Sequence, residues 1–527
     1  MEEMPTIRRL SALALLALLG CGGGEGSTPG SSLSETPNYS VALTSGTATR
    51  QLDLLFMIDN SPSMAPKVNK LVMQFPKLID ALKWPTDGTL PDLRIAIIDS
   101  DLGTGGAYTN NSCGPKTLPD GTQSIFGDMG RFQMPNYPLA CTFTSGALFL
   151  ESKAGQPVNY GGDLSTVFAC LATNLGDRGC GEEHQIQAFE FALAAQGVGN
   201  ENQQKAFLRG NATLGLVFLT DEDDCSAATN DRLFGDLVDA RGETASLRCA
   251  TRAHRCNGRN LADSPPGYPT TEPFTARFAD CQARTGDECS LDTDTSKPTD
   301  CNPLRNVKTL AEEIKSLKES PDDVFVAGIF GWPSSAAELA TATYKIAPVP
   351  NPNTADTAHP TIYDYWPVCY DPNHPPSNPD SATGFDAEAA AWGATGGLRQ
   401  SAFIDEFGSN GMKLSACQPD FADAMTQIGT ALTRAGPSGQ GYCVPTALAQ
   451  SSQCMAHLRR PMTDGKTFVT DPGTVPLCGP QPIIFPCYDL AANSPSCASG
   501  DSLLTMQSGS STTVGFAPGT TLDFYCQ

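Results

Sequence analysis

The chain has 527 residues and a net charge of −23, from 34 basic and 57 acidic side chains. That balance argues against nucleic-acid or anionic-membrane binding through a basic surface. The length is too great for one compact domain without insertions, and 50 glycines and 41 prolines require long loops rather than continuous helices.

Residues 1–20 read as an export signal. Arg8 and Arg9 precede the apolar run LSALALLALLG, which is shorter than the ~20 apolar residues of a membrane span, and Cys21 follows it directly. The stretch LLGC resembles the lipobox of bacterial lipoproteins. That resemblance implies cleavage before Cys21 and lipid attachment to its thiol. With glycine rather than aspartate at position 22, it implies anchoring in the outer membrane, facing the periplasm or the cell surface. Residues 21–45, which continue GGGEGSTPGSS, are expected to be a flexible tether. Of 19 cysteines, those other than Cys21 form an even set, as a disulfide framework of an exported chain requires. Only five histidines and no C-x-x-C pair occur, which disfavours structural zinc.

Four apolar runs read as strands covered on both faces: LDLLFMID (52–59), LRIAIID (93–99), LGLVFLTD (214–221) and DVFVAGIFG (323–331). Helical spacing marks residues 66–83, 182–196, 302–320 and 418–436. Alternating strands and helices predict an α/β fold with a doubly wound, mostly parallel sheet over residues 46–436. Long insertions interrupt it near 103–162, 225–301 and 333–397, and cysteines in the first two predict stapled, ordered excursions. Beyond residue 436 the rhythm stops, and 437–527 reads as a small Cys-rich, β-rich or irregular region punctuated by Pro and Gly.

The segment DNSPS follows the first strand directly, and LTDEDD ends the third. In an open parallel sheet, ligands bind beyond the carboxyl ends of the strands, near the reversal of strand order. Asp59, Ser61, Ser63 and Asp221 would surround one point with hard oxygens there, a set suited to Mg²⁺. With D-x-S-x-S at Asp59, Ser61 and Ser63 and the later aspartate at Asp221, the chain resembles a von Willebrand factor A domain with its metal-ion-dependent adhesion site. The resemblance spans roughly residues 50–436. It implies an ion (Mg²⁺, or Ca²⁺ or Mn²⁺) whose shell is completed by an acidic side chain of a protein partner. Family members also supply a threonine from the loop before the helix that here begins near Glu182. In this chain that loop is GDRGCGEEHQIQA and has no threonine. Glu183 or Glu182 falls nearest the position; Glu183 as a ligand would make the site more anionic and favour Ca²⁺. Alternatively, Thr166 or Thr173 enters from the preceding helix.

Other motifs carry less. DEDDCS (221–226) could hold a second ion but reads as a solvated acidic loop. DECSLDTDTSKPTD (287–300) lacks the central glycine and final glutamate of an EF-hand loop. His184 reads as a surface or core residue, and Trp332 and Trp366 as packing residues. No G-x-S-x-G, H-E-x-x-H or Walker motif occurs, so no enzyme class is indicated. The expected function is a non-enzymatic, cation-dependent protein-binding module for adhesion or complex assembly. The alternatives are an envelope scaffold with a vestigial ion site and an enzyme whose active residues lie in the insertions.

Overall fold

The computed structural model describes residues 39–42, residues 51–434 apart from stretches chiefly within 84–87, 106–112, 134–140, 228–243, 257–303, 334–359 and 377–390, and the strands of residues 441–526. Residues 1–36, with the proposed signal and Cys21, lie outside the described residues, as does 287–300.

The four apolar runs form contiguous parallel strands at the centre of a seven-stranded sheet. Its strands are β1 (Gln51–Ile58), β2 (Asp92–Ile98), β3 (Leu150–Lys153), β4 (Gln156–Pro157), β5 (Thr213–Leu219), β6 (Val324–Phe330) and β7 (Gly411–Ser415). Their order is β7-β6-β5-β1-β2-β3-β4. β1 runs parallel to both β2 and β5, β6 is parallel to β5 and β7, and only β3 and β4 turn antiparallel. The chain therefore builds outward from β1 on one side, then returns to continue from β5 on the other. The sheet is mostly parallel, in a mixed α/β structure.

Side chains of a strand alternate between faces, and those of β1 enter two different cores. Leu54, Phe56 and Ile58 pack with α1 (Ala65–Ala81), α2 (Leu164–Asn174) and α8 (Ala422–Arg434). Leu55 and Met57 pack with α3 (Gln185–Phe189), α4 (Glu201–Phe207), α6 (Val307–Lys315) and α7 (Leu398–Asp405). Helix α5 (Ala245–Ala253) lies in the second insertion and packs in two smaller clusters, one of which includes Leu398 of α7. Gly429 permits close approach of α8 to α1: a Cβ there would sit 2.6 Å from the Cβ of Ala81. The helix expected over 182–196 begins only at Gln185 and widens into a five-residue π turn, Glu190–Ala194.

The described parts of the insertions are stapled. Disulfides join Cys113 to Cys180, Cys141 to Cys170, Cys225 to Cys249, Cys256 to Cys281 and Cys369 to Cys417. The first insertion also extends the main sheet, since β3 and β4 belong to it. Among the described residues no helix is long and apolar enough to cross a membrane.

The C-terminal region forms two antiparallel sheets. One has the order 39–42, 521–526, 454–461, 468–475, and the other 441–445, 501–507, 487–492. They share a core of Val41, Leu458, Tyr488, Leu504, Leu522 and Phe524. The tether expected over 21–45 is thus corrected at its end. Tyr39–Ala42 is a strand paired with Thr521–Cys526, because its alternation buries Val41 against Leu522 and Phe524.

Candidate metal centre

β1 and β5 are neighbours, and the order of the sheet reverses between them, so both release their following loops at one point. The Asp59 N–H continues the ladder to the carbonyl of Leu219 at 3.0 Å. Its carboxylate is then fixed twice: Oδ1 accepts from the Ser61 N–H at 2.8 Å, and Oδ2 accepts from the Thr220 hydroxyl at 2.7 Å. The tight local turn follows from D-x-S, in which an Asp oxygen reaches the backbone two residues on. Ser61 and Ser63 face each other with hydroxyl oxygens 3.3 Å apart, and Ser63 Oγ donates to Asp221 Oδ1 at 3.1 Å. The structure thus brings together Asp59, Ser61, Ser63 and Asp221 from segments some 160 residues apart. Asp59 is fully buried, Ser61 and Asp221 are buried, and Ser63 is half-buried.

Glu183 comes to the same end of the sheet. Its Oε2 accepts from Ser100, just past β2, and its buried Oε1 has no hydrogen-bond partner among the described residues. Burial, then the charges of Asp59 and Glu222, pushes its carboxyl well above the usual range. Burial and the nearby Asp221 push Asp59 up to about 6. Both shifts have one cause: negative groups withdrawn from water without enough positive charge.

The alternatives to Glu183 are engaged with other partners. Thr166 bonds to Asp163 at the N-terminus of α2, and Thr173 donates to Ala169 within that helix. Glu182 turns away, with Oε2 at 2.8 and 3.1 Å from the sulfurs of Cys113 and Cys180. Those three residues are the one His, Cys, Asp or Glu group among the described residues whose ligand atoms lie within 4.8 Å of one another. It is no thiolate metal site as it stands, because both sulfurs are spent in a disulfide. Asp59, Glu183 and Asp221 are more widely spread than that group.

Three participants are not legible from the motif. Thr220 orients Asp59. Lys67, buried on the first turns of α1, donates to Asp221 Oδ2 and to the carbonyl of Ala391, each at 2.7 Å. Thr395 clasps the backbone carbonyl of Asp221 through its N–H at 2.8 Å and its hydroxyl at 3.1 Å. The third insertion therefore lies against the site. The segment expected to be a solvated acidic loop is instead largely buried, with only Glu222 and Asp223 half-buried, and it is paired. Asp224 bonds Arg399 Nε at 2.9 Å and Ser226 Oγ at 2.6 Å, and Asp223 pairs with buried His254. Those contacts engage Asp223 and Asp224, two of the carboxylates that a second ion would need. His184 is a core residue against Phe234, Trp332 packs on Phe330, and Trp366 is buried.

An octahedral Mg²⁺ with ligands at 2.0–2.1 Å places neighbouring ligand oxygens about 3.0 Å apart. The Ser61–Ser63–Asp221 oxygens have separations of this size. These separations are equally those of the hydrogen bonds that join the three residues, and Glu183 is not part of that row. The chain matches no protein-family model and no curated protein sequence.

Proposed function

We propose that the chain is a lipid-anchored envelope protein that binds a protein partner through a divalent ion, in a doubly wound domain of the von Willebrand factor A type. The observation that carries this reading is the row of oxygens of Ser61, Ser63 and Asp221, separated by 3.3 and 3.1 Å, at the point where the strand order reverses. Ser61, Ser63 and Asp221 would hold Mg²⁺, Mn²⁺ or Ca²⁺, Asp59 would position the loop, and Glu183 would supply further negative charge. The ion would offer positive charge to an acidic side chain of the partner. Residues 1–20 would direct export, with Cys21 carrying lipid in the outer membrane.

A second reading has its own support. The ammonium of Lys67 already neutralises Asp221, as a scaffold that has lost its ion would require. Calorimetric titration of Mg²⁺, Mn²⁺ and Ca²⁺ into the full chain, its Asp59→Ala variant and its Glu183→Thr variant separates the two. The ion-binding reading predicts a single site in the parent, weakened ~10–100-fold or more in Asp59→Ala. It also predicts a shift of preference from Ca²⁺ toward Mg²⁺ in Glu183→Thr, which has less charge. A parent that binds no divalent ion at millimolar concentration favours the scaffold.

A further inference from the structure

Lys67 lies four residues past Ser63, on α1, with 1% of its surface exposed. Its ammonium has three acceptors: Asp221 Oδ2 and the Ala391 carbonyl at 2.7 Å, and the Ser63 carbonyl at 3.3 Å. Asp221 is thereby divided, one oxygen on the ammonium and the other on the Ser63 hydroxyl. Any cation taken up beside Ser63 must share this carboxylate with a positive charge that cannot retreat into water. A buried ammonium held at hydrogen-bond distance from a ligand carboxylate opposes a second cation strongly, because little solvent screens it.

We propose that Lys67 sets the ion affinity of this site, as an internal counter-cation that competes with the divalent ion for Asp221. The inference rests on the ion-binding reading given above. The neighbouring Lys70 supplies an internal control. It is equally a buried lysine of α1, but its ammonium is paired with Asp371 Oδ2 at 2.5 Å and with the Gln418 carbonyl at 2.7 Å, neither of which is one of the four site residues. Only Lys67 shares its carboxylate with the site.

The test is calorimetric titration of Mg²⁺ and of Ca²⁺ into the full chain, parent and variant. Lys67→Met and Lys67→Gln should bind the ion at least about tenfold more tightly than the parent, the glutamine retaining a donor for Ala391. Lys70→Met should bind it as the parent does. If the parent binds an ion and both Lys67 variants bind it no more tightly, or if Lys70→Met tightens it equally, the role of Lys67 is refuted while the ion site remains. If neither the parent nor any variant binds an ion at millimolar concentration, the site itself is refuted and Lys67 with it. Should both neutral variants fail to fold alone, millimolar Mg²⁺ should restore their circular dichroism, since the ion replaces the lost charge beside Asp221. Failure of Mg²⁺ to restore it overturns the proposal.

Discussion

Glu190, at the start of the π turn that follows α3, illustrates how burial governs the charges around this sheet. Arg305 Nη1 grips both of its carboxylate oxygens, at 3.1 and 3.0 Å, yet burial outweighs the guanidinium and pushes the carboxyl up to about 7. A carboxyl raised above its usual 4.5 favours folding while protonated. Its contribution is complete below about pH 4.5 and is lost as pH rises through about 7. Glu190→Gln should therefore remove part of the loss of stability between pH 5 and pH 8, by ~1–3 kcal/mol. Thermal melts of parent and variant at both pH values measure it, and parallel pH profiles would refute it. At this scale the sequence discloses what is local. D-x-S-x-S places Asp59, Ser61 and Ser63, and the end of an apolar run places Asp221. Lys67, Thr220 and Thr395 act on partners 154, 161 and 174 residues away, so no short motif could reveal them.

The elements that frame the site are held by aromatic packing under the sheet. Phe75 of α1 stacks on Phe168 of α2 with ring centroids 3.7 Å apart and meets Phe56 of β1 edge-on at 5.9 Å. Phe75 is fully buried, so Phe75→Ala opens a cavity beneath the strand that delivers Asp59 and should cost ~3–5 kcal/mol. Chemical denaturation would measure the loss; a change below 1 kcal/mol would mean that the cluster readily repacks. The central strands and α1 were legible because long apolar runs and three-four spacing survive in any context. β3, β4 and β7 were not: they contain four, two and five residues, too short for a periodic signal, and their strand character comes from pairing at the sheet edges.

At the scale of the whole molecule, the two ends of the described chain meet. Tyr39–Ala42 closes the sheet that also contains Thr521–Cys526, so the large α/β region is inserted between the first strand and the rest of the C-terminal β unit. The loss of rhythm after residue 436 coincides with the described strands of residues 441–526 lying in antiparallel sheets. That strand 39–42 belongs with them was not readable, because the pairing spans nearly the full chain. Val41→Asp places a charge in the core of the β unit, where the native side chain is 5% exposed. It should render residues 441–526 sensitive to limited proteolysis while 51–434 survive, and loss of both together would contradict a separate folding unit.

The proposed function requires Asp59, Ser61, Ser63 and Asp221 to form a divalent-ion site. A crystal of the full chain grown with Mn²⁺ and recorded at wavelengths on either side of the manganese absorption edge tests it directly. One anomalous peak is expected within coordination distance of the Ser61 and Ser63 hydroxyls, with Asp221 beside it and Asp59 on the same loop. No peak there, with the ammonium of Lys67 still seated on Asp221 and manganese bound only elsewhere, would contradict it.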